Sequence, residues 1–138
     1  MNRIGKEEIE KMLDMAEEAM RRAYAPYSGF QVGACLKTSD GDYYLGCNIE
    51  NASYTPTVCA ERTAIFKAVF DGKRAFDGLA IICTGNNPSF PCGVCRQVLS
   101  EFCDPEMPVI SSNRNREYTV CSLGELLPHS FGMGDLRA

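Results

Sequence analysis

The chain has 138 residues, of which 45% are hydrophobic, and its formal net charge at pH 7 is −4 with an isoelectric point near 5.0. This length suits one hydrophobic core, and we predict a single domain over residues 1–138. The acidic balance and the lack of a Lys/Arg cluster argue against a nucleic acid polymer as partner and favour a small molecule.

The first residues, MNRIGKEEIEK, contain no apolar run of signal-peptide length. No segment approaches the roughly 20 apolar residues that a membrane-spanning helix needs. We therefore expect a cytoplasmic protein with no membrane partner. In that compartment, eight cysteines indicate free thiols, metal ligands or catalysis rather than a disulfide scaffold.

A helix and a hairpin are predicted in the first part of the chain. Apolar residues recur at helical spacing over 6–22, with acidic residues early and two arginines at the end. Two antiparallel strands are predicted within 29–51, because the Asp-Gly pair in residues 39–42 is a strong hairpin signal.

Strands and helices alternate in the second part. The predicted elements are a helix over about 60–71, a strand over 78–84, a helix over 92–103, strands over 107–112 and 117–123, and a short helix over 123–128. This alternation indicates right-handed crossovers and parallel pairing. We predict an α/β fold, a three-layer α/β/α sandwich around a mixed sheet of about five strands.

Two of these helices would begin at the carboxyl edge of the sheet, where ligands of open α/β sheets bind. Cys59 precedes one helix, and Cys92 and Cys95 stand at the start of the other. Three soft ligands with an open fourth position describe a catalytic zinc site, and Glu61 would lie near the metal as a base. On spacing alone, the CxxC pair could also be packed or redox thiols.

The motif CAE at 59–61, followed by PCGVC at 91–95, is similar to the zinc deaminase signature in its three-cysteine form. Together with YSGFQVGA, CNIENASY and PCGVCRQVLSEF, it makes the chain resemble the small homotetrameric cytidine deaminases over residues 24–131. The resemblance implies one Zn²⁺ per chain held by the three cysteines. It also implies hydrolytic deamination of cytidine and deoxycytidine to uridine and deoxyuridine plus ammonia.

The resemblance implies that Glu61 moves protons between water, the ring nitrogen and departing ammonia, while zinc lowers the pKa of its bound water toward about 7. Three thiolates leave such a site negative, which disfavours loss of that proton. We expect Arg62 to offset this charge through a hydrogen bond to Cys59, helped by the two helix N-termini. The alternative is a surface arginine in solvent.

The substrate-binding roles also follow from the resemblance. Phe30 would flank the pyrimidine ring, and Asn48 and Glu50 would hold the ribose hydroxyl as a mixed set of donors and acceptors. The Ala60 N–H would face the ring carbonyl. Turn chemistry for Asn48 and solvent exposure for Glu50 remain the alternatives.

Tyr54 and Phe131 resemble residues that reach active sites across subunit contacts. A free pyrimidine nucleoside and further copies of the chain, in a homotetramer with shared sites, are therefore the expected partners. For Phe131, which lies between glycines and polar residues near the end of the chain, a frayed tail is the alternative.

Two other functions stay open at this stage. In a non-catalytic structural zinc module, Cys83 would close the site as a fourth ligand. A deaminase of a related nucleoside, such as a nucleoside antibiotic, or of cytosine in a polynucleotide would keep the same scaffold. No chemistry is assigned to the cysteines on predicted strands and apolar faces, which are Cys35, Cys47, Cys83, Cys103 and Cys121.

Overall fold

The computed structural model describes residues 4–137, in which five strands form one sheet. In chain order the elements are α1 (Lys6–Met20), β1 (Val32–Thr38), β2 (Tyr43–Cys47), α2 (Ala60–Phe70), β3 (Phe76–Cys83), α3 (Gly93–Phe102), β4 (Pro108–Ser112), β5 (Tyr118–Ser122), α4 (Leu123–Leu126) and α5 (Met133–Leu136). None of the helices in this part of the chain is long and apolar enough to cross a membrane.

The sheet has the strand order β2-β1-β3-β4-β5. β1 is antiparallel to both of its neighbours, β3 and β4 are parallel, and β5 is antiparallel to β4. β2, β3 and β4 therefore run in the same direction, although β1 separates β2 from β3. Because α2 follows β2 and α3 follows β3, the two helices begin at the same edge of the sheet.

Helices cover both faces of the sheet. Met12 and Leu13 of α1 are buried on one face with Ile82 of β3. On the opposite face, Ile65 of α2 and Leu99 of α3 are buried in a second apolar cluster. The predicted mixed sheet of five strands in a layered α/β fold is confirmed. Among the five described strands, only β3 and β4 pair in parallel, because β1 lies between β2 and β3.

The first turn of α2 lies directly on β2 at Gly46. A Cβ at this position would lie 2.3 Å from the carbonyl oxygen of Ala60 and 2.6 Å from the backbone nitrogen of Ala64. Real Cβ atoms do not approach backbone so closely, so glycine is required for this contact. The position of the helix that follows Cys59 therefore depends on the absence of a side chain at Gly46.

We expect Gly46→Ala to lower the free energy of unfolding by about 1–3 kcal/mol, because the added methyl group must push α2 away from β2. Urea unfolding followed by circular dichroism measures the loss. Gly134→Ala is the control, since nothing lies within 4 Å of a Cβ at that glycine. Equal stability of the two variants would contradict the close approach.

Candidate metal centre

Three cysteine sulfurs converge where α2 and α3 begin. The Sγ atoms of Cys59 and Cys92 are 3.8 Å apart, those of Cys92 and Cys95 are 3.5 Å apart, and all three lie within 4.8 Å of one another. A tetrahedral zinc site with bonds of about 2.3 Å places its sulfurs about 3.8 Å apart. The three thiols therefore fit one zinc ion with a fourth position left open.

The backbone explains how the sulfurs meet. Cys59 is the N-cap of α2 and Cys92 is the N-cap of α3, both with extended backbone and neither using its side chain to cap its helix. Cys95 is buried in the first turn of α3. The positive ends of two helix dipoles thus point toward the same place and favour thiolates there.

Arg62 lies against the cluster. Its Nη2 donates a hydrogen bond of 3.4 Å to the Sγ of Cys59. The neighbouring Cys95 thiol lowers the pKa of the Cys59 thiol, and the hydrogen bond from Arg62 lowers it further, while burial acts in the opposite direction. Among the described side chains, the Arg62 Nε is buried without a hydrogen-bond partner. The guanidinium thus places a positive charge next to the Cys59 sulfur.

Glu61 occupies the first turn of α2 beside the cluster but is not one of the converging ligands. Its side chain is only 4% exposed. Burial raises the pKa of the Glu61 carboxyl to about 7, with a further rise from the charge of Cys59. A divalent cation at the sulfurs would favour the ionised form again. Ala60, the preceding residue, is fully buried, and its N–H lies in the first turn, where no intrahelical acceptor exists.

Cys83 is not among the converging ligands. Its buried thiol instead donates to the carbonyl oxygens of Asn87, at 3.4 Å, and Ser112, at 3.8 Å. A closed site with Cys83 as fourth ligand, the arrangement expected of a structural zinc module, is therefore not present.

The side chain of Asn48 holds the backbone that leads into β1. Its Nδ2 donates to the carbonyl oxygen of Phe30 at 2.8 Å, and its Oδ1 accepts the N–H of Val32 at 2.9 Å. Asn48 is 8% exposed. An amide offers two N–H groups and two lone pairs, so one of each remains for a ligand.

Glu50 holds the loop that precedes Phe30. Its Oε1 accepts the backbone N–H groups of Tyr27 at 2.9 Å and Ser28 at 3.1 Å, and its Oε2 accepts the Ser28 hydroxyl. The Ser28 hydroxyl, followed by the backbone donors, lowers the pKa of the Glu50 carboxyl. An open pocket of about 380 Å³ lies beside these groups, lined by Tyr27, Ser28, Glu50, Tyr54 and Thr57.

Phe30, Tyr54 and Phe131 expose much of their side chains, with exposed fractions of 42%, 74% and 58%. The Tyr54 ring meets the Tyr27 ring edge-on, with centroids 6.5 Å apart. The carbonyl oxygen of Phe131 accepts a hydrogen bond of 2.9 Å from Gln97 on α3. The segment around Phe131 is therefore tied to the helix that follows Cys92.

Sequence reasoning missed Tyr27, Ser28 and Arg96. The first two line the pocket beside Glu50, and their only signal was their place in the YSGF motif. Arg96 donates through Nε to the carbonyl oxygen of Pro91 at 2.6 Å and through Nη1 to that of Leu126 at 2.7 Å. It therefore supports the backbone just before Cys92, and only its position directly after the CxxC pair could have suggested this.

Residues 6–111 match the family model described as the cytidine and deoxycytidylate deaminase zinc-binding region. The chain is 47% identical to a cytidine deaminase of Sporosarcina psychrophila, covering 94% of this chain and 95% of that protein. It is 43% identical to a cytidine deaminase of Halalkalibacterium halodurans, with 91% and 96% covered. The crystal structure of cytidine deaminase from Burkholderia pseudomallei superimposes with a TM-score of 0.86 at 44% identity, covering 88% of this chain and 98% of that one.

We expect purified protein to contain one zinc ion per chain, and Cys92→Ser to weaken zinc binding by more than roughly 100-fold. That factor is the upper end of the loss seen when groups that merely support metal ligands are removed. Metal analysis after dialysis against a chelator measures the difference. Cys121→Ser on β5 is the matched control and should keep its zinc. Equal zinc content in both variants would contradict the three-cysteine site.

Proposed function

This chain belongs to the cytidine and deoxycytidylate deaminase family, and we propose that it hydrolyses cytidine and deoxycytidine to uridine and deoxyuridine plus ammonia, with Glu61 as its proton carrier. The observation that carries this proposal is the convergence of three thiols next to one buried carboxylate. A structural zinc site needs no such carboxylate, whereas hydrolysis of an amino group needs a residue that accepts and returns protons.

Cys59, Cys92 and Cys95 would hold the zinc ion, which would supply a water of lowered pKa as the nucleophile. Glu61 would take a proton from the attacking water and deliver it to N3 of the pyrimidine ring as the oxygen bonds to C4. The carboxylate would then take the second proton from that oxygen and pass it to the exocyclic nitrogen, so that the C4–N bond breaks, ammonia leaves and the C4 carbonyl of the product forms. Burial of Glu61 keeps bulk solvent from exchanging these protons and holds the side chain beside the reacting atoms.

We propose that Arg62 offsets part of the negative charge of the three thiolates. The support is its hydrogen bond to Cys59 together with the two helix N-termini that face the cluster. With less negative charge at the sulfurs, the site binds an electron-rich nucleophile at lower electrostatic cost.

On the substrate side, we propose that Phe30 flanks the pyrimidine and that the N–H of Ala60 donates to the ring carbonyl. Asn48 and Glu50 would meet the ribose with the hydrogen-bonding capacity left over after they bind the backbone of the loop. The Glu50 carboxylate also disfavours a phosphate in the adjoining pocket. A nucleoside is therefore the favoured substrate over a nucleotide.

We further propose a cytoplasmic homotetramer in which Tyr54 and Phe131 reach the sites of neighbouring copies. Both side chains are exposed in the single chain. Two further exposed aromatic side chains, Phe66 and Phe70, lie on the outer face of α2, with exposed fractions of 48% and 90%. Large exposed aromatic side chains on one helix face are typical of contact surfaces between proteins, and closed symmetry is the usual form of such assemblies.

A second candidate, a deaminase of a modified nucleoside such as a nucleoside antibiotic, would use the same residues. An ultraviolet assay with cytidine, deoxycytidine, cytosine and a modified cytidine in parallel separates the candidates. Turnover of either natural nucleoside at the highest kcat/KM supports the proposal. Turnover of the modified nucleoside alone would replace it with the second candidate.

We expect Glu61→Gln to lower kcat by about 10²- to 10⁴-fold, because an amide carries no proton between water, ring and leaving group. Zinc content and thermal stability should stay near those of the native protein. Glu101→Gln on the exposed side of α3 provides the matched control and should retain full activity. A kcat within threefold of the native value would exclude Glu61 as the proton carrier.

We expect removal of residues 130–138 to raise the KM for cytidine, since an aromatic wall against a pyrimidine contributes roughly 1–3 kcal/mol by analogy with base stacking. Zinc content should remain at one ion per chain. Analytical ultracentrifugation at the assay concentration gives the oligomeric state. A monomer with full activity would contradict shared sites.

A further inference from the structure

Asn113 is a buried amide directly after β4, with an exposed fraction of 2%. Its Nδ2 donates to the carbonyl oxygen of Asn86 at 2.8 Å and to Oε1 of Glu117 at 2.7 Å. Its Oδ1 accepts the backbone N–H groups of Asn115 at 2.9 Å and Glu117 at 3.0 Å. These four bonds use the full capacity of a side-chain amide. Asn113 therefore fixes its own turn and, at the same time, a carbonyl far away in sequence.

That carbonyl belongs to the connection between β3 and α3, residues 85–91, whose sequence GNNPSFP forms no helix or strand. The turn after β4 binds the connection at two more points. The N–H of Arg114 donates to the carbonyl oxygen of Gly85 at 3.2 Å, and the N–H of Ser89 donates to that of Ser112 at 3.4 Å. Asn113 joins these two segments through its buried side chain, and the buried Cys83 thiol also contacts a carbonyl oxygen of each, those of Asn87 and Ser112.

Gly85, next to the anchored carbonyl, supports the Phe30 ring. A Cβ at Gly85 would lie 3.0 Å from Cε1 of Phe30, so the ring packs closely against the backbone of Gly85. The residues next to Phe30 and Gly85 are also hydrogen-bonded to each other. Gln31 donates its N–H to Oγ1 of Thr84 at 3.1 Å, and its carbonyl oxygen accepts the Thr84 N–H at 3.0 Å. A shift of the connection would therefore move the ring.

We propose that Asn113 is a positioning residue for the reaction, which holds the Asn86 carbonyl and thereby sets where the Gly85 backbone places the Phe30 ring. The inference rests on the proposed function, because it requires Phe30 to flank the pyrimidine. Asn113 itself exchanges no proton and touches no reacting atom. Its loss consequently weakens substrate binding and leaves the chemical step intact.

The first test is Asn113→Asp, which keeps the shape and the two accepted hydrogen bonds but loses both donors. We expect the KM for cytidine and the Kd of the product uridine, measured by calorimetry on zinc-loaded protein, to rise about tenfold, the effect of one lost hydrogen bond to a buried group. The kcat should stay within about threefold and zinc at one per chain. Asn115→Ala, in the same turn and exposed, should change neither constant.

A second variant separates positioning from stability. Asn113→Asp also places a carboxylate opposite Glu117, which lowers stability by like-charge repulsion. Adding Glu117→Gln to the Asn113→Asp variant supplies a donor to the new carboxylate and restores stability, but it leaves the Asn86 carbonyl without its hydrogen bond. KM should therefore remain high in the double variant while the melting temperature recovers. Recovery of KM together with stability would overturn the proposal.

Gly85→Ala tests the proposal even if the Asn113 variant does not fold, because Asn113 is proposed to act on the Phe30 ring through the backbone of Gly85. The added methyl group displaces the Phe30 ring directly, and KM should rise with kcat retained. An unchanged KM in Gly85→Ala overturns the inference. Absence of cytidine turnover in the native protein would instead refute the proposed function, so the two failures are distinguishable.

Discussion

The arrangement of the protein depends on bringing three thiolates within 4.8 Å of one another. Two unit charges about 4 Å apart repel by roughly 4 kcal/mol at an effective dielectric constant of 20. A divalent cation, two helix N-termini and Arg62 oppose that repulsion. Because the two helices must begin at one place, β2 and β3 must run in the same direction, and the first crossover must pass over β1.

Placing the helix starts at one edge of the sheet requires helices that pack closely on the strands, and this packing requires glycine at particular strand positions. α1 lies against β1 at Gly33, where a Cβ would come within 1.9 Å of the Ala16 carbonyl oxygen, and α2 lies against β2 at Gly46, where the corresponding distance to the Ala60 carbonyl oxygen is 2.3 Å. Both faces of the first strand pair are thus covered by helices that approach the backbone itself. The start of α2, and with it Cys59, is held by this direct contact and by hydrogen bonds from the Thr63 and Lys67 side chains to carbonyl oxygens of β2.

The sequence allowed prediction of α1 to α4, the five strands and the cysteine cluster, because helical periodicity, the Asp-Gly hairpin signal and the CxxC spacing are local. Partners distant in sequence could not be predicted. Asn48 and Glu50 bind the backbone of residues 27–32, between 16 and 23 positions away, and no local pattern encodes that pairing. α5, with four residues and no apolar periodicity, was missed for lack of any signal. The roles assigned to the substrate-binding residues remain predictions.

The site consists of two parts that are supported in different ways. The cysteines, Glu61 and Arg62 belong to helix starts packed on the sheet. Phe30 belongs to a loop without regular structure, held by Asn48 and Glu50 on one side and by Gly85 on the other. Helix starts fixed by a core keep reacting groups in place, whereas a loop fixed by individual hydrogen bonds can be altered one bond at a time. Changes in the loop should therefore alter which nucleoside binds, and changes at the helix starts should alter whether it reacts.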